Sequence, residues 1–384
     1  MASAKRKFRQ ADIMASRVPE PASPLSTFPG RNRPKVTKFD QNMAKLRRLL
    51  LRPRRSLGYL RAMSIYLVTG GCGFIGSNLV HALLQRGDEV RILDNLSSGR
   101  FSNIGKLLDS HPRQVSLWRG DILDGPLLDR VMHGVEYVAH LAAMPAVTWS
   151  VAQPIWCDRI NSGGTLQVLD AARRQGKVRR VVIAASCAAY GDLNPTEPKR
   201  ESDEVTPMSP YAAAKLASEH HGSVYSQIYG VPTVSLRFFN VFGPRQDPSS
   251  QYAAVVPNFV RAALENKRPK IFGDGKQSRD FVFVDNIVSA IGLAWTCDER
   301  RVAGQVMNIG CGEQVTLLDL VAELEKLCGR SLNPEFLPAR EGEVRHSFAD
   351  IARARSLLGY SPEVRFPEGL ARTLRWFAQE KDAA

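Results

Sequence analysis

Tyr211 and Lys215 stand four residues apart in Ser209-Pro210-Tyr211-Ala212-Ala213-Ala214-Lys215. On a helix, residues i and i+4 share a face, so the ammonium can sit close beside the phenol. A neighbouring cation favours phenolate and lowers a pKa that is ordinarily about 10. The chemistry on offer is a general base usable near neutral pH. The same spacing also occurs on solvated helix faces, so its meaning depends on the rest of the chain.

That context begins after Met63. Ile65-Tyr66-Leu67-Val68 is a short apolar, β-branched run of the kind that forms a buried parallel strand. It leads into Thr69-Gly70-Gly71-Cys72-Gly73-Phe74-Ile75-Gly76-Ser77-Asn78, and then Leu79, Val80, Leu83 and Leu84 recur at helical spacing. A strand, a glycine turn and a helix in that order make a dinucleotide site. Gly70, Gly73 and Gly76 let the backbone approach a pyrophosphate, and the first helical residues, Phe74 and Ile75, supply orphan N–H groups. The next strand, Glu89–Leu93, ends at Asp94, whose carboxylate suits a ribose 2′-OH and repels a 2′-phosphate. The cofactor expected is NAD rather than NADP.

Composition sets the bounds. The 384 residues carry a net charge of +14, which alone would suggest a polyanion partner. Residues 1–62, however, hold 16 Lys and Arg against 3 Asp and Glu, and the remainder holds 36 against 35. The basic excess therefore belongs to a Pro-, Ser- and Arg-rich leader that reads as disordered, or as an extension ahead of a start at Met63. That charge would allow a nucleic-acid or membrane-surface tail, but the leader is the only support for either, and a nucleic-acid partner is not the expectation. No stretch reads as a transmembrane span, because the uncharged run from Ala62 to Gln85 is interrupted by the glycine turn. Six cysteines at irregular spacing, with no C-x-x-C pair, point to reduced thiols rather than a disulfide framework or zinc site, and the seven histidines show no metal-ligand spacing. No metal is expected, and the location expected is cytoplasmic.

Downstream, strands and helices alternate at βαβ spacing: Val115–Trp118, Val135–His140, a helix from about Asn161 to Arg174, a strand Val178–Ala185, the Tyr211/Lys215 helix, and a strand Val231–Phe238. The fold class is α/β, a Rossmann-like doubly wound parallel sheet in residues 63–243. Residues 244–384 read as a smaller, mainly substrate-binding lobe with some segments returning to the sheet, and with helices near 252–265, 285–295 and 317–327.

From Met63 onward the chain resembles an extended short-chain dehydrogenase/reductase of the NAD-dependent epimerase/dehydratase family, and within it the UDP-N-acetylglucosamine 4-epimerases of bacterial polysaccharide pathways. The resemblance is carried by the glycine loop, Asp94, Gly120-Asp121-Ile122, Leu141-Ala142-Ala143, Asn161, Ser186, Tyr211-x-x-x-Lys215, Arg237-Phe238-Phe239-Asn240-Val241-Phe242-Gly243-Pro244-Arg245 and Ser278-Arg279-Asp280-Phe281. It implies further NAD contacts at Asn95, Gly99, Asp121, Ile122, Leu141, Ala142, Ala143, Asn161 and Phe238. It also implies that Ser186 hydrogen-bonds the substrate oxygen, that Tyr211 acts as base on the sugar 4-OH, and that Lys215 lowers the Tyr211 pKa and holds the nicotinamide ribose. The reaction implied is transient oxidation at C4 to a 4-keto sugar nucleotide, with hydride returned to the opposite face, so that NAD stays bound and is regenerated.

The same resemblance sorts the family's activities. Its 4,6-dehydratases carry Asp and Glu directly after the hydroxyl residue, and its decarboxylases keep a Glu two places after it. Here those positions are Cys187 and Ala188, so epimerisation is the reading. Arg279, Arg340, Glu343 and Asn240 match positions that bind the nucleotide, and guanidinium forks suit a diphosphate. Ser347 matches a gate that is bulky Tyr for plain hexoses and small for N-acetyl sugars, so the expected pair is UDP-GlcNAc and UDP-GalNAc. Ala146 replaces a substrate-touching hydroxyl, which leaves UDP-Glc/UDP-Gal or a UDP-uronic acid as alternatives. A different class, a non-catalytic NAD-bound sensor or scaffold, would be expected to have lost Tyr211 or Lys215. The family also implies a homodimer through two helices per subunit, for which the segments near 161–175 and 209–228 are the candidates.

Overall fold

A computed structural model describes residues 64–145, 147–192, 196–247, 254–339 and 344–383. Ala146, Arg340, Glu343 and the basic leader lie outside the described residues. In chain order the strands are β1 (Ile65–Thr69), β2 (Glu89–Asp94), β3 (Val115–Arg119), β4 (Tyr137–His140), β5 (Arg180–Ser186), β6 (Thr233–Phe238), β7 (Asn240–Phe242), β8 (Lys270–Phe272), β9 (Ser278–Arg279), β10 (Phe281–Phe283), β11 (Gln305–Ile309), β12 (Val315–Thr316), β13 (Glu335–Leu337) and β14 (His346–Ser347).

Seven of these form one parallel sheet in the order β11-β6-β5-β4-β1-β2-β3. Strand order runs outward in both directions from the β1/β4 pair, which creates a topological switch point where ligands bind at the carboxyl ends. The register brings those ends into line: Thr69 faces His140, Ser186 faces Phe238, and Phe238 faces Ile309. Both faces are covered, so the central strands β4, β5 and β6 are buried almost throughout, as a parallel sheet requires. One face packs against the Phe74–Gln85 and Val284–Thr296 helices around Tyr66, Tyr137 and Trp295. The other packs against the Gly125–Met132 and Gly164–Gln175 helices.

The segment after residue 243 divides. β11 pairs with β6 as the seventh strand of the sheet. The Val284–Thr296 helix packs on the sheet, and much of the rest joins Phe242 in a lobe built around Phe281, Phe283 and Phe366, with β12, β9 and β14 as a small three-stranded sheet. Asp280 pins this lobe to the main sheet: its buried carboxylate accepts the N–H groups of Cys311 (2.7 Å), Gly312 (2.9 Å) and Ala349 (3.2 Å). Among the described residues no helix is long and apolar enough to cross a membrane.

The Tyr211/Lys215 helix spans Pro210–Tyr229. Ser209 caps it, accepting the Ala212 N–H at 3.2 Å, Pro210 pre-sets the first turn, and Gly230 ends it in the left-handed region at φ 66°. Losing the Ser209 cap would cost about 1 kcal/mol. The segment expected as one helix from 161 begins instead with a π-turn, Arg159–Gly163, and becomes α-helical at Gly164. The side chain of Asn161, inside the π-turn, explains the irregularity: it bonds to the Met144 backbone on the neighbouring loop.

Candidate active site

The glycine turn and the loop after β4 meet at the switch point. Gly70 adopts φ 70°, and a Cβ there would lie 2.8 Å from the Ala142 nitrogen. At Gly76 a Cβ would lie 2.2 Å from the Gly70 carbonyl oxygen, so only glycine permits this approach of helix to turn. Among the described residues no side chain caps the Phe74–Gln85 helix, which leaves its first N–H groups without a side-chain acceptor there. That cradle fits the pyrophosphate of a dinucleotide. Asp94, at the end of β2, is buried and held by the N–H groups of Cys72 (2.9 Å) and Leu96 (2.8 Å), and Gly99 backs directly onto its carboxylate. The Asn95 amide donates to Asp121 at 2.8 Å, and Asp121 also accepts the Leu123 N–H. Ile122 is buried beside them. These residues fit the adenosine side of NAD.

Ser186 ends β5, where its hydroxyl accepts the Ala188 N–H at 3.2 Å and caps the 3-10 turn Cys187–Tyr190. Its hydroxyl lies close enough to the Tyr211 phenol to oppose the rise in that group's pKa. The Lys215 ammonium is buried and donates to the Ala184 carbonyl at 2.8 Å. The catalytic trio expected from sequence therefore converges at one strand end.

The expected electrostatics need correcting. Burial pushes Tyr211 up to about 12, with the Ser186 hydroxyl opposing it, and Lys215 is not what sets its acidity. Burial also brings Lys215 down to about 8, against the pull of Cys157 and Glu219. The spacing argument counted the cation alone, whereas burial, which spacing does not show, is the largest influence on the phenol. Cys187 is likewise pushed up to about 12 by burial, which keeps it a thiol and not a nucleophile.

The Asn161 side chain is engaged with the backbone of a neighbouring loop. Its amide accepts from the Met144 N–H (2.8 Å) and donates to the Met144 carbonyl (3.2 Å), so it holds the loop after β4 in place. Phe238 is buried at the end of β6, beside Ser186 in register. In the lobe, Asn240 and Arg279 line one cavity of about 1010 Å³ together with Val241, Gln277, Phe281 and Leu317. Ser347 pairs with Arg279 across β14 and β9, so these two expected substrate residues stand side by side.

Two groups of positioning residues were not singled out from sequence. The first is a buried chain: the Ala142 N–H donates to Thr69 Oγ1 (3.2 Å), Thr69 Oγ1 meets His140 Nδ1 (2.9 Å), His140 Nε2 meets Thr165 Oγ1 (3.0 Å), and Thr165 donates to the Asn161 carbonyl (2.6 Å). With the Thr165 hydrogen committed to that carbonyl, every link is satisfied by the neutral Nε2–H tautomer of His140. The second is a buried ion pair, Arg237 with Glu219, bidentate at 2.9 and 2.7 Å, with the guanidinium 4.7 Å from the centre of the Tyr190 ring. His140 precedes Leu141 and Glu219 stands four after Lys215, so sequence position was the available signal.

The chain is similar to known proteins. The model of the NAD dependent epimerase/dehydratase family matches residues 66–310. The UDP-glucose 4-epimerase of Mycolicibacterium smegmatis is 39% identical over 312 residues, covering 81% of this chain and 97% of that protein. The UDP-glucuronate 4-epimerase of Thermodesulfobacterium geofontis is 32% identical over 324 residues, covering 82% and 96%. The solved UDP-N-acetylglucosamine 4-epimerase of Methanobrevibacter ruminantium superposes with a TM-score of 0.78 at 36% identity, covering 83% of this chain and all of that one. The chain belongs to the NAD-dependent epimerase/dehydratase family.

Proposed function

We propose that this NAD-dependent UDP-sugar 4-epimerase interconverts UDP-GlcNAc and UDP-GalNAc. The observation that carries the reaction type is the convergence of Ser186, Tyr211 and Lys215 beside a turn with no carboxylate at Cys187 or Ala188. Bound NAD supplies the acceptor, and then the donor, of the C4 hydride. Ser186 hydrogen-bonds the 4-oxygen, and Tyr211 takes the 4-OH proton and later returns it. Lys215, anchored on Ala184, supplies positive charge to the Tyr211 side of the site. With no carboxylate at Cys187 or Ala188, this strand end supplies no acid/base pair for water elimination.

For the nucleotide, Asn240 and Arg279 line the lobe cavity, and Arg340 and Glu343 are assigned from the family motif. For the sugar, the small Ser347 beside Arg279 supports room for a 2-acetamido group. The similar proteins include UDP-glucose, UDP-glucuronate and UDP-N-acetylglucosamine 4-epimerases, so the deciding experiment is a side-by-side assay of UDP-GlcNAc, UDP-Glc, UDP-GlcA and UDP-GlcNAcA. A higher kcat/KM for either uronic acid than for UDP-GlcNAc would overturn the sugar assignment.

A homodimer is part of this reading. Its support is exposed apolar surface on Val151, Ile155 and Trp156 of the 147–158 helices and on Val224, Ile228 and Tyr229 of the Tyr211/Lys215 helix. The exposed face of the Gly164–Gln175 helix is polar, with Gln167, Arg173 and Arg174, which shifts the expected interface toward residues 147–158. Light scattering on Ile155→Glu and Ile228→Glu tests it: monomers are expected, and an unchanged dimer would remove this surface from the interface.

A further inference from the structure

The segment Gly243–Asp247 runs from β7, which lines the substrate cavity, back to the cofactor turn, and it is tied there twice. Asn78, on the second turn of the glycine-loop helix, donates from Nδ2 to the Phe74 carbonyl (2.9 Å) and to the Pro244 carbonyl (3.1 Å). Its Oδ1 accepts from the Arg245 guanidinium. The second tie is the ion pair of Asp247 with Arg100, whose own N–H donates to the Cys72 carbonyl of the glycine turn at 3.0 Å. Arg245 makes its contact from a left-handed backbone at φ 68°, a conformation that a non-glycine residue holds only when its surroundings enforce it. Its guanidinium is half-buried, its Nε has no hydrogen-bond partner among the described residues, and Asp285 and Glu380 face it. A strained backbone and an imperfectly satisfied cation are retained where the cofactor helix meets the substrate-side chain.

We propose that Asn78 and Arg245 form a latch that retains NAD through turnover by fastening the 243–247 segment to the first two turns of the glycine-loop helix. An oxidoreductase with free NAD as co-substrate must open this region every cycle. An enzyme that takes hydride from its substrate and gives it back must not, because loss of the reduced cofactor would strand the oxidised sugar. The latch acts through the position of the helix N-terminus, so Asn78 and Arg245 are positioning residues. The inference rests on the family's use of NAD and not on which sugar is bound.

The test measures NAD release from the purified full-length protein, trapping freed cofactor with an excess of a coupling dehydrogenase. Asn78→Ala and Arg245→Ala are each expected to speed release by about tenfold. The double variant should release no faster than the quicker single one, because either change opens the same latch. Arg245→Gly removes the guanidinium and also relieves the left-handed backbone, so it should melt no lower than the parent when stripped of NAD and still release NAD faster. Parental release rates in both single variants would overturn the latch, as would effects that multiply in the double variant. Slower release from Arg245→Gly than from Arg245→Ala would also overturn it, by showing that the alanine variant acted through strain.

Discussion

The Lys215 ammonium donates to the Ala184 carbonyl, 2.8 Å away on β5, and this bond fixes the Tyr211/Lys215 helix against the strand that ends in Ser186. The lysine is thus anchored to the same strand that carries the serine. Tyr211, Lys215 and Ser186 keep their relative positions because one strand end serves all three.

Tyr211→Phe keeps the ring and removes the proton acceptor. UDP-sugar turnover is expected to fall by about three orders of magnitude, with NAD content unchanged, as measured by acid release and chromatography. Ser186→Ala should cost about 10²-fold. A Tyr211→Phe enzyme at near-parental rate would exclude this residue as the base.

Ser347→Tyr should narrow the sugar pocket. The expected outcome is at least about tenfold loss of kcat/KM for UDP-GlcNAc, with UDP-Glc turnover kept or raised. Equal losses on both substrates would detach Ser347 from sugar choice.

His140 makes stability depend on pH. Burial, helped by Lys215, brings its pKa in the folded protein down to about 3 from an ordinary value near 6.5. A folded pKa below the unfolded one means that the unfolded chain binds more protons as pH falls, so the contribution is intact above about 6.5 and is lost progressively toward 3. Between pH 7 and about 5 this amounts to about 2 kcal/mol. Urea unfolding at both pH values checks it: the drop should shrink by about that amount in His140→Gln.

Glu219→Gln leaves the Arg237 guanidinium buried without its carboxylate. The expected cost is about 3 kcal/mol in urea unfolding, and replacing both residues with apolar ones of similar volume should recover much of it. A shift under about 0.5 kcal/mol would mean that the pair contributes nothing beyond packing.

The glycine turn and the Tyr211/Lys215 pair were legible along the chain because both depend on local constraints. A glycine turn between a strand and a helix shows as Gly70, Gly73 and Gly76, and a helix face shows as Tyr211 and Lys215 four apart. The alternation of apolar strands and amphipathic helices carried the parallel sheet in the same way. What the chain order could not show are contacts between residues far apart in sequence. Ser347 beside Arg279, Arg245 on Asn78, and β11 as the seventh strand are set by packing of distant segments, which leaves no periodic trace. The acidity of Tyr211 belongs to the same class. Spacing announces the neighbouring cation, but burial is a property of the whole assembled site, and it is the largest influence on the Tyr211 phenol.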